Sequence, residues 1–232
     1  MFRFFIGCDL GKVSDHTSLC VIEKNLRVER PSMDEMFAGV TMIKLPTYTV
    51  RFLERLPLQT PYPKVVERIK TITTNPAIHG DSILICDSTG CGMPVIDMLR
   101  QESLRVISVW ITSGSTISGD AHHRDNFHVP KLNLVSSLSL LIQSERLKVV
   151  EELEHAPLLK EEFKTFEVRM SKQGSEQFGA WRSGQHDDLV LSLCMAVWYS
   201  TFTEVRDRIF SDELVAIQGR DEKPYSPLTW EL

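Results

Sequence analysis

Four acidic residues stand where an ordinary structural role explains them poorly. Phe4-Phe5-Ile6-Gly7-Cys8 leads straight into Asp9, and Ser82-Ile83-Leu84-Ile85-Cys86 leads into Asp87. Asp187 and Asp188 open a long apolar run that reaches Phe202. A carboxylate at the end of a buried strand is expensive unless something positive meets it, and the nearest cations in sequence to Asp9 are Arg3 and Lys12. Each acid alone has a plainer reading. One of Asp187 and Asp188 could cap its helix, worth about 1 kcal/mol, and Asp87 could cap the next turn. Gathered in one place, three or four carboxylates repel unless cations sit between them. Hard oxygen donors select Mg2+ or Mn2+ over zinc. Two such ions about 3.5–4 Å apart stabilise the attacking and leaving oxygens of an in-line phosphoryl displacement. The chemistry this points to is phosphodiester hydrolysis.

These acids need elements to bring them together. Phe2–Leu10 reads as a buried strand, Gly11–Thr17 as a tight polar turn and Ser18–Glu23 as an antiparallel return. Met36–Leu45 fits a third strand. Arg51–Pro63, with Pro57, Pro61 and Pro63, reads as a connecting arm. Val65, Val66, Ile69 and Ile72 mark a helix over Tyr62–Thr74. Ser82–Asp87 is wholly apolar up to its final acid, the mark of a central parallel strand. Pro94 opens a second helix towards Leu104, and Arg105–Ile111 is a fifth strand. Thr112–Asn126 reads as a mobile loop. Helices follow from Pro130 and over Leu158–Phe166, with a short strand at Phe166–Met170. Asp187–Phe202 is apolar nearly all round and therefore a buried helix. The expected fold class is α/β: a five-stranded mixed sheet, order 3-2-1-4-5, flanked by helices. Right-handed crossovers make the fourth strand parallel to the first, so Asp9 and Asp87 lie at neighbouring strand ends. Residues 1–202 form one domain, and 203–232, charged and carrying Pro224 and Pro227, a peripheral tail.

Composition bounds the class. The 232 residues are 42% hydrophobic and 25% charged, ordinary for a globular enzyme. A net charge of −5 argues against a generic polyanion binder, an argument that weakens where acids hold metal ions. Five scattered cysteines without Cys-x-x-Cys spacing read as free thiols in a reducing compartment. No apolar run approaches the roughly 18 residues that cross a bilayer, and the N-terminus lacks a signal-peptide pattern. A cytoplasmic protein with no membrane partner is expected.

At these residues the chain resembles the nuclease domain of tailed-phage large terminases, a branch of the RNase H-like superfamily. The resemblance is carried by Gly7-Cys8-Asp9-Leu10-Gly11 with Asp15-His16-Thr17, and by Arg55-Leu56-Pro57-Leu58 with Tyr62-Pro63. It continues through Asp87-Ser88-Thr89-Gly90 with Gly92 and Pro94-Val95, Val129-Pro130-Lys131-Leu132, and Gly184-Gln185-His186-Asp187-Asp188-Leu189. It implies an RNase H-like fold and an endonuclease hydrolysing DNA phosphodiesters with two Mg2+ or Mn2+ ions. Asp9, Asp87 and Asp188 would be the catalytic, metal-holding acids. Asp187 stands beside them, and Asp15 matches an accessory acid near the second ion. Asp15 could equally form a turn.

Lys131 and Arg124 are candidates for DNA phosphates, and His186 for a ligand carboxylate or a cap. Asp120, His122, His123, Asp125 and His128 resemble a metal cluster in composition but lack ligand spacing. The implied partners are double-stranded DNA and a portal, small terminase or ATPase motor. No Gly-x-x-x-x-Gly-Lys-Ser/Thr loop occurs in the sequence, so the motor is expected on a separate polypeptide, or removed or lost. Two further readings stand beside this one: an RNase H-like resolvase or repair nuclease on branched DNA, and a non-catalytic packaging assembly module.

Overall fold

Alternation along the first strand sets the architecture. In a strand, successive side chains take opposite faces. In β1 (Phe4–Asp9), Phe5 packs with one buried cluster, while Ile6 and Cys8 pack with another. The chain, a computed structural model, is described over residues 2–11, 15–29, 33, 37, 43–90, 92–120, 123–170, 176–179 and 187–218. After β1 come β2 (Ser18–Glu29), β3 (Ile43–Arg55), α1 (Tyr62–Thr73), β4 (Ser82–Asp87), α2 (Gly92–Gln101) and β5 (Val106–Thr112). Then follow β6 (Ser118–Gly119), β7 (Asn126–Pro130), α3 (Lys131–Gln143), β8 (Leu147–Val149) and α4 (Ala156–Thr165). A separate hairpin, β9 (Glu167–Met170) with β10 (Glu176–Gly179), precedes α5 (Asp188–Gln218).

The main sheet has the order β6-β7-β5-β4-β1-β2-β3-β8. The expected 3-2-1-4-5 core lies inside it, with β1 antiparallel to β2 and parallel to β4. The sheet has eight strands rather than five. β8 adds three residues beside β3, and β7 and β6 extend the other edge. These strands are short, and β7 hides only Val129 and Pro130, so alternation hardly marks them. The stretch expected as a loop, 112–126, therefore contains β6. Within the described residues β3 runs from Ile43 through Arg55, where a connecting arm was expected. Its prolines fall where they do no harm: Pro46 lies where β8 does not reach, and Pro57 follows the strand's end. Most of 36–42 lies outside the described residues.

Helices cover both faces. Val65, Val66, Ile69 and Ile72 of α1 and Val95, Ile96 and Leu99 of α2 pack with Ile6, Cys8, Leu84 and Cys86. On the other face α3, α4 and α5 pack against Phe5, Ile22, Ile83, Ile85 and Ile107. From Leu189 to Tyr199, every residue of α5 except Leu191 is buried, as its all-round apolar pattern requires. The helix runs unbroken past Phe202 to Gln218, so the stretch expected to be a peripheral tail begins as its continuation. Residues 219–232 lie outside the described residues. Among the described residues no helix is long and apolar enough to cross a membrane.

α5 lies backbone to backbone against the sheet at Gly7. A Cβ there would stand 1.8 Å from the Ser192 carbonyl oxygen and 2.8 Å from its carbon. Backbone meets backbone, so nothing flexible can yield. Gly7→Ala is expected to lower the melting temperature by about 6 °C or more. Gly114→Ala, whose nearest new neighbour is 3.9 Å away, should leave it unchanged. Equal melting curves for the two variants would contradict the packing described.

Candidate active site

The same alternation aims the acids. Ile83 and Ile85 of β4 belong to the cluster under α5, and Leu84 and Cys86 to the opposite one. The next residues, Asp9 after Cys8 and Asp87 after Cys86, therefore turn to the α5 face. Cys8 is the register partner of Cys86, which makes the two acids neighbours at the strand ends. Asp9 pairs across with Ser18, and Ser18 with Arg55. A row of four side chains, Asp87, Asp9, Ser18 and Arg55, thus crosses four strands beneath the start of α5.

That helix start is fastened to the row from several sides. The Ser18 hydroxyl donates to the Asp188 carbonyl at 2.6 Å. Leu191 N–H closes the first turn onto the Asp187 carbonyl at 2.9 Å. Glu162 of α4, itself buried, accepts from Val190 N–H at 3.0 Å and so serves one of the otherwise unsatisfied donors of the first turn. Asp188 is buried, with Arg55 Nε 3.4 Å from its Oδ2. Asp187 is half-buried and meets Lys131 Nζ at 3.2 Å. Asp87 Oδ1 accepts from Thr89 N–H at 2.8 Å. Tight turning follows, since a Cβ on Gly92 would come within 2.5 Å of the Asp87 carbonyl oxygen. The plain turn-capping role considered for Asp87 is thus real, and it coexists with the side chain's place in the row.

Electrostatics record the convergence. Burial, then the charges of Asp87, Asp188 and Asp187 in that order, push the Asp9 carboxyl well above the usual carboxylate range, while Lys131 opposes them. Burial, with Asp188 adding to it, pushes Glu162 up to about 7, against the pull of its backbone donors and Arg55. Among the described residues no three His, Cys, Asp or Glu side chains close into a ready-made metal cage. The two facts are compatible: Coulomb repulsion reaches farther than a coordination bond. Arg55 and Lys131 each hold one acid. The donor set suits a hard divalent cation, because the acids are hard oxygen donors and their mutual repulsion is what such a charge relieves.

The other candidates are placed elsewhere. Asp15 is exposed on the β1–β2 connection, where it lines a cleft of about 340 Å3 with Gly11, Thr17, Gln59 and Tyr62. Arg124 precedes β7, which runs parallel to β5, so it stands at the end of the sheet opposite the acids. Lys131, just after β7, stands at their end. The histidine-rich loop does not assemble as a metal cluster among the described residues: Asp125 pairs with Arg105, and the His128 ring lies near Trp110. His122, His186 and Cys91 lie outside the described residues. Ser18, Arg55 and Glu162 were not anticipated in the site. Ser18 and Arg55 could be found from strand register alone, whereas Glu162, within Lys160-Glu161-Glu162, looks like any solvated helix acid.

Comparison with solved structures places the fold. The large terminase nuclease of thermophilic phage G20c with bound magnesium matches with a TM-score of 0.55 at 20% identity, over 84% of this chain and 79% of that one. Its cobalt-bound form matches with a TM-score of 0.55 at 18% identity, over 84% of this chain and 79% of that one. The large terminase nuclease domain of Thermus phage P74-26 matches with a TM-score of 0.51 at 18% identity, over 83% and 77%. The chain therefore has the α/β fold of these nucleases, the RNase H-like class expected from its sequence. No protein-family model matches the chain, and no curated protein matches it in sequence.

The raised acids set an unusual pH dependence. Where Asp9 and Glu162 titrate above their unfolded values, the folded state keeps protons that the unfolded state has lost. Their contribution to stability is full below the ordinary carboxylate pKa, about 4, and is lost as pH rises through the folded values. In chelator, the melting temperature is expected to fall between pH 5 and pH 8. Asp9→Asn should flatten that fall and raise the midpoint at pH 7.5 by about 3–6 °C. Parallel profiles for the variant and the wild type would contradict the crowding of charge at Asp9.

Proposed function

We propose that the chain is a metal-dependent endonuclease that hydrolyses DNA phosphodiesters, as the nuclease part of a phage DNA-packaging large terminase. The observation that carries this reading is the row of Asp87 and Asp9 under Asp188, with Asp9 driven towards its neutral form by burial and by these acidic neighbours. The shared fold with terminase nucleases, one of them solved with magnesium, supports it. In this proposal Asp9, Asp87 and Asp188 hold Mg2+ or Mn2+, two ions in the full site. Asp187 assists, and Asp15 lies at the rim. Asp188 is preferred over Asp187 as the inward donor because it is buried and acts more strongly on Asp9. Bound there, the ions supply Lewis-acid stabilisation of charge on the phosphoryl oxygens.

The chain's own residues do the rest. The Gly7–Ser192 contact and the bonds from Ser18 and to Glu162 fix the helix that presents Asp188, so little movement is needed during reaction. Lys131, held beside Asp187, offers a cation to a backbone phosphate. Arg124, at the far end of the sheet, would meet DNA only away from the cleavage point. Double-stranded DNA is the proposed substrate. An ATPase motor, a small terminase or a portal would deliver it, in the host cytoplasm.

The test is direct. Purified protein with Mn2+ is expected to nick and linearise supercoiled plasmid. Asp9→Ala, Asp87→Asn and Asp188→Asn should each lower the rate by at least about a hundredfold. Undiminished cutting by these folded variants would sink the proposal. Strong preference for a branched junction over linear duplex would move the substrate to branched DNA.

A further inference from the structure

We propose that Arg55 is the resident counterion of Asp188: it neutralises this acid while no metal is bound, and gives up that role when a divalent cation arrives. The inference rests on the metal-binding reading above and adds a residue with a separate task. Arg55 is the last residue of β3 and the outer member of the row Asp9–Ser18–Arg55. Its Nε lies 3.4 Å from Asp188 Oδ2, and the two side chains are only 15% and 6% exposed. Water screens such a pair weakly, and a guanidinium keeps its proton at any working pH.

Geometry separates this task from holding the helix. The first turn of α5 is already fastened through its backbone by Ser18 and Glu162. Removing Arg55 leaves both bonds in place, so what is lost is charge. Glu162 also sits within reach of the fields of both Arg55 and Asp188, with opposite signs. Without Arg55, the charge of Asp188 would bear unopposed on two other buried carboxyls, Asp9 and Glu162. Lys131 stands in the same relation to Asp187, but that pair is wetter, at 27% and 22% exposed, and screening weakens it. The cation that makes the metal-free site foldable is therefore also one that repels an incoming metal. Arg55 supports stability before binding and opposes binding itself.

The test compares wild type, Arg55→Gln and Arg55→Lys by thermal melting in EDTA and in saturating Mn2+, with Mn2+ affinity measured by calorimetry. Arg55→Gln is expected to melt several degrees lower in EDTA and to recover most of that loss in Mn2+. Its Mn2+ affinity should be tighter by about three- to tenfold, because one repelling charge is gone. Arg55→Lys, which keeps the charge, should behave like the wild type in both conditions. An equal drop with and without Mn2+ means a merely structural residue and overturns the proposal. Weaker Mn2+ binding by Arg55→Gln overturns it as well, since Arg55 would then help the metal. If Arg55→Gln folds only in the presence of Mn2+, the proposal holds; if it folds in neither condition, the metal does not replace the charge and the proposal fails. A wild type with no Mn2+ response at all would instead remove the metal site, and this inference with it.

Discussion

Repulsion between carboxylates forced together at one end of the sheet is the constraint to which the rest of the structure answers. Asp9 and Asp87 cannot move apart, because each is the next residue after a buried cysteine in adjacent parallel strands. Asp188 cannot swing away either, since its helix is packed and bonded to the same strands. The fold meets this repulsion in two ways. It leaves Asp9 inclined to keep a proton, and it sets a cation beside each acid at the helix start. Both are partial remedies, which a divalent cation, in the function proposed, would replace.

Close packing makes that rigidity possible. A β-sheet and a helix buried on every side come within backbone contact at Gly7 and Ser192, a distance no side chain would permit. The aromatic group of Phe127, Trp198, Tyr199 and Phe202 anchors the helix further along. Lys24 and Glu204, 3.6 Å apart with little exposure, tie it to β2. These contacts lie away from the acids. Stability gathered there offsets the strain of charge crowding, the usual division between a scaffold and a functional site.

Much of this was legible in the residues. The apolar runs ending on Asp9 and Asp87 gave the central strands, and the crossover rule placed them side by side with no coordinates. The all-round apolar pattern after Asp188 gave the buried helix. Edge strands were not legible: β8 has three residues and β6 two, too few to show a period. Three prolines beyond β3 masked its later part, where Tyr48 and Val50 alternate and a bulge at Arg51 brings Leu53 to the same face. Composition suggested a metal cluster in the histidine-rich loop, but composition says nothing of direction, and Asp125 and His128 turn to Arg105 and Trp110. Arg55 stands at a readable strand register, but its acidic partner, like the helix turn that Glu162 serves, was hidden for the same reason. Both roles come from residues about 130 and about 30 positions away in the chain, brought near only by the sheet and by helix packing.

The resemblance to terminase nucleases rests on an architecture and on a pattern of acids, and the chemistry proposed here stands on the second. Anomalous diffraction from crystals grown with Mn2+ would probe it most directly. The account predicts strong manganese peaks within coordination distance of Asp9, Asp87 and Asp188. Manganese found only elsewhere on the molecule, with those three carboxylates bare at saturating concentration, would contradict it.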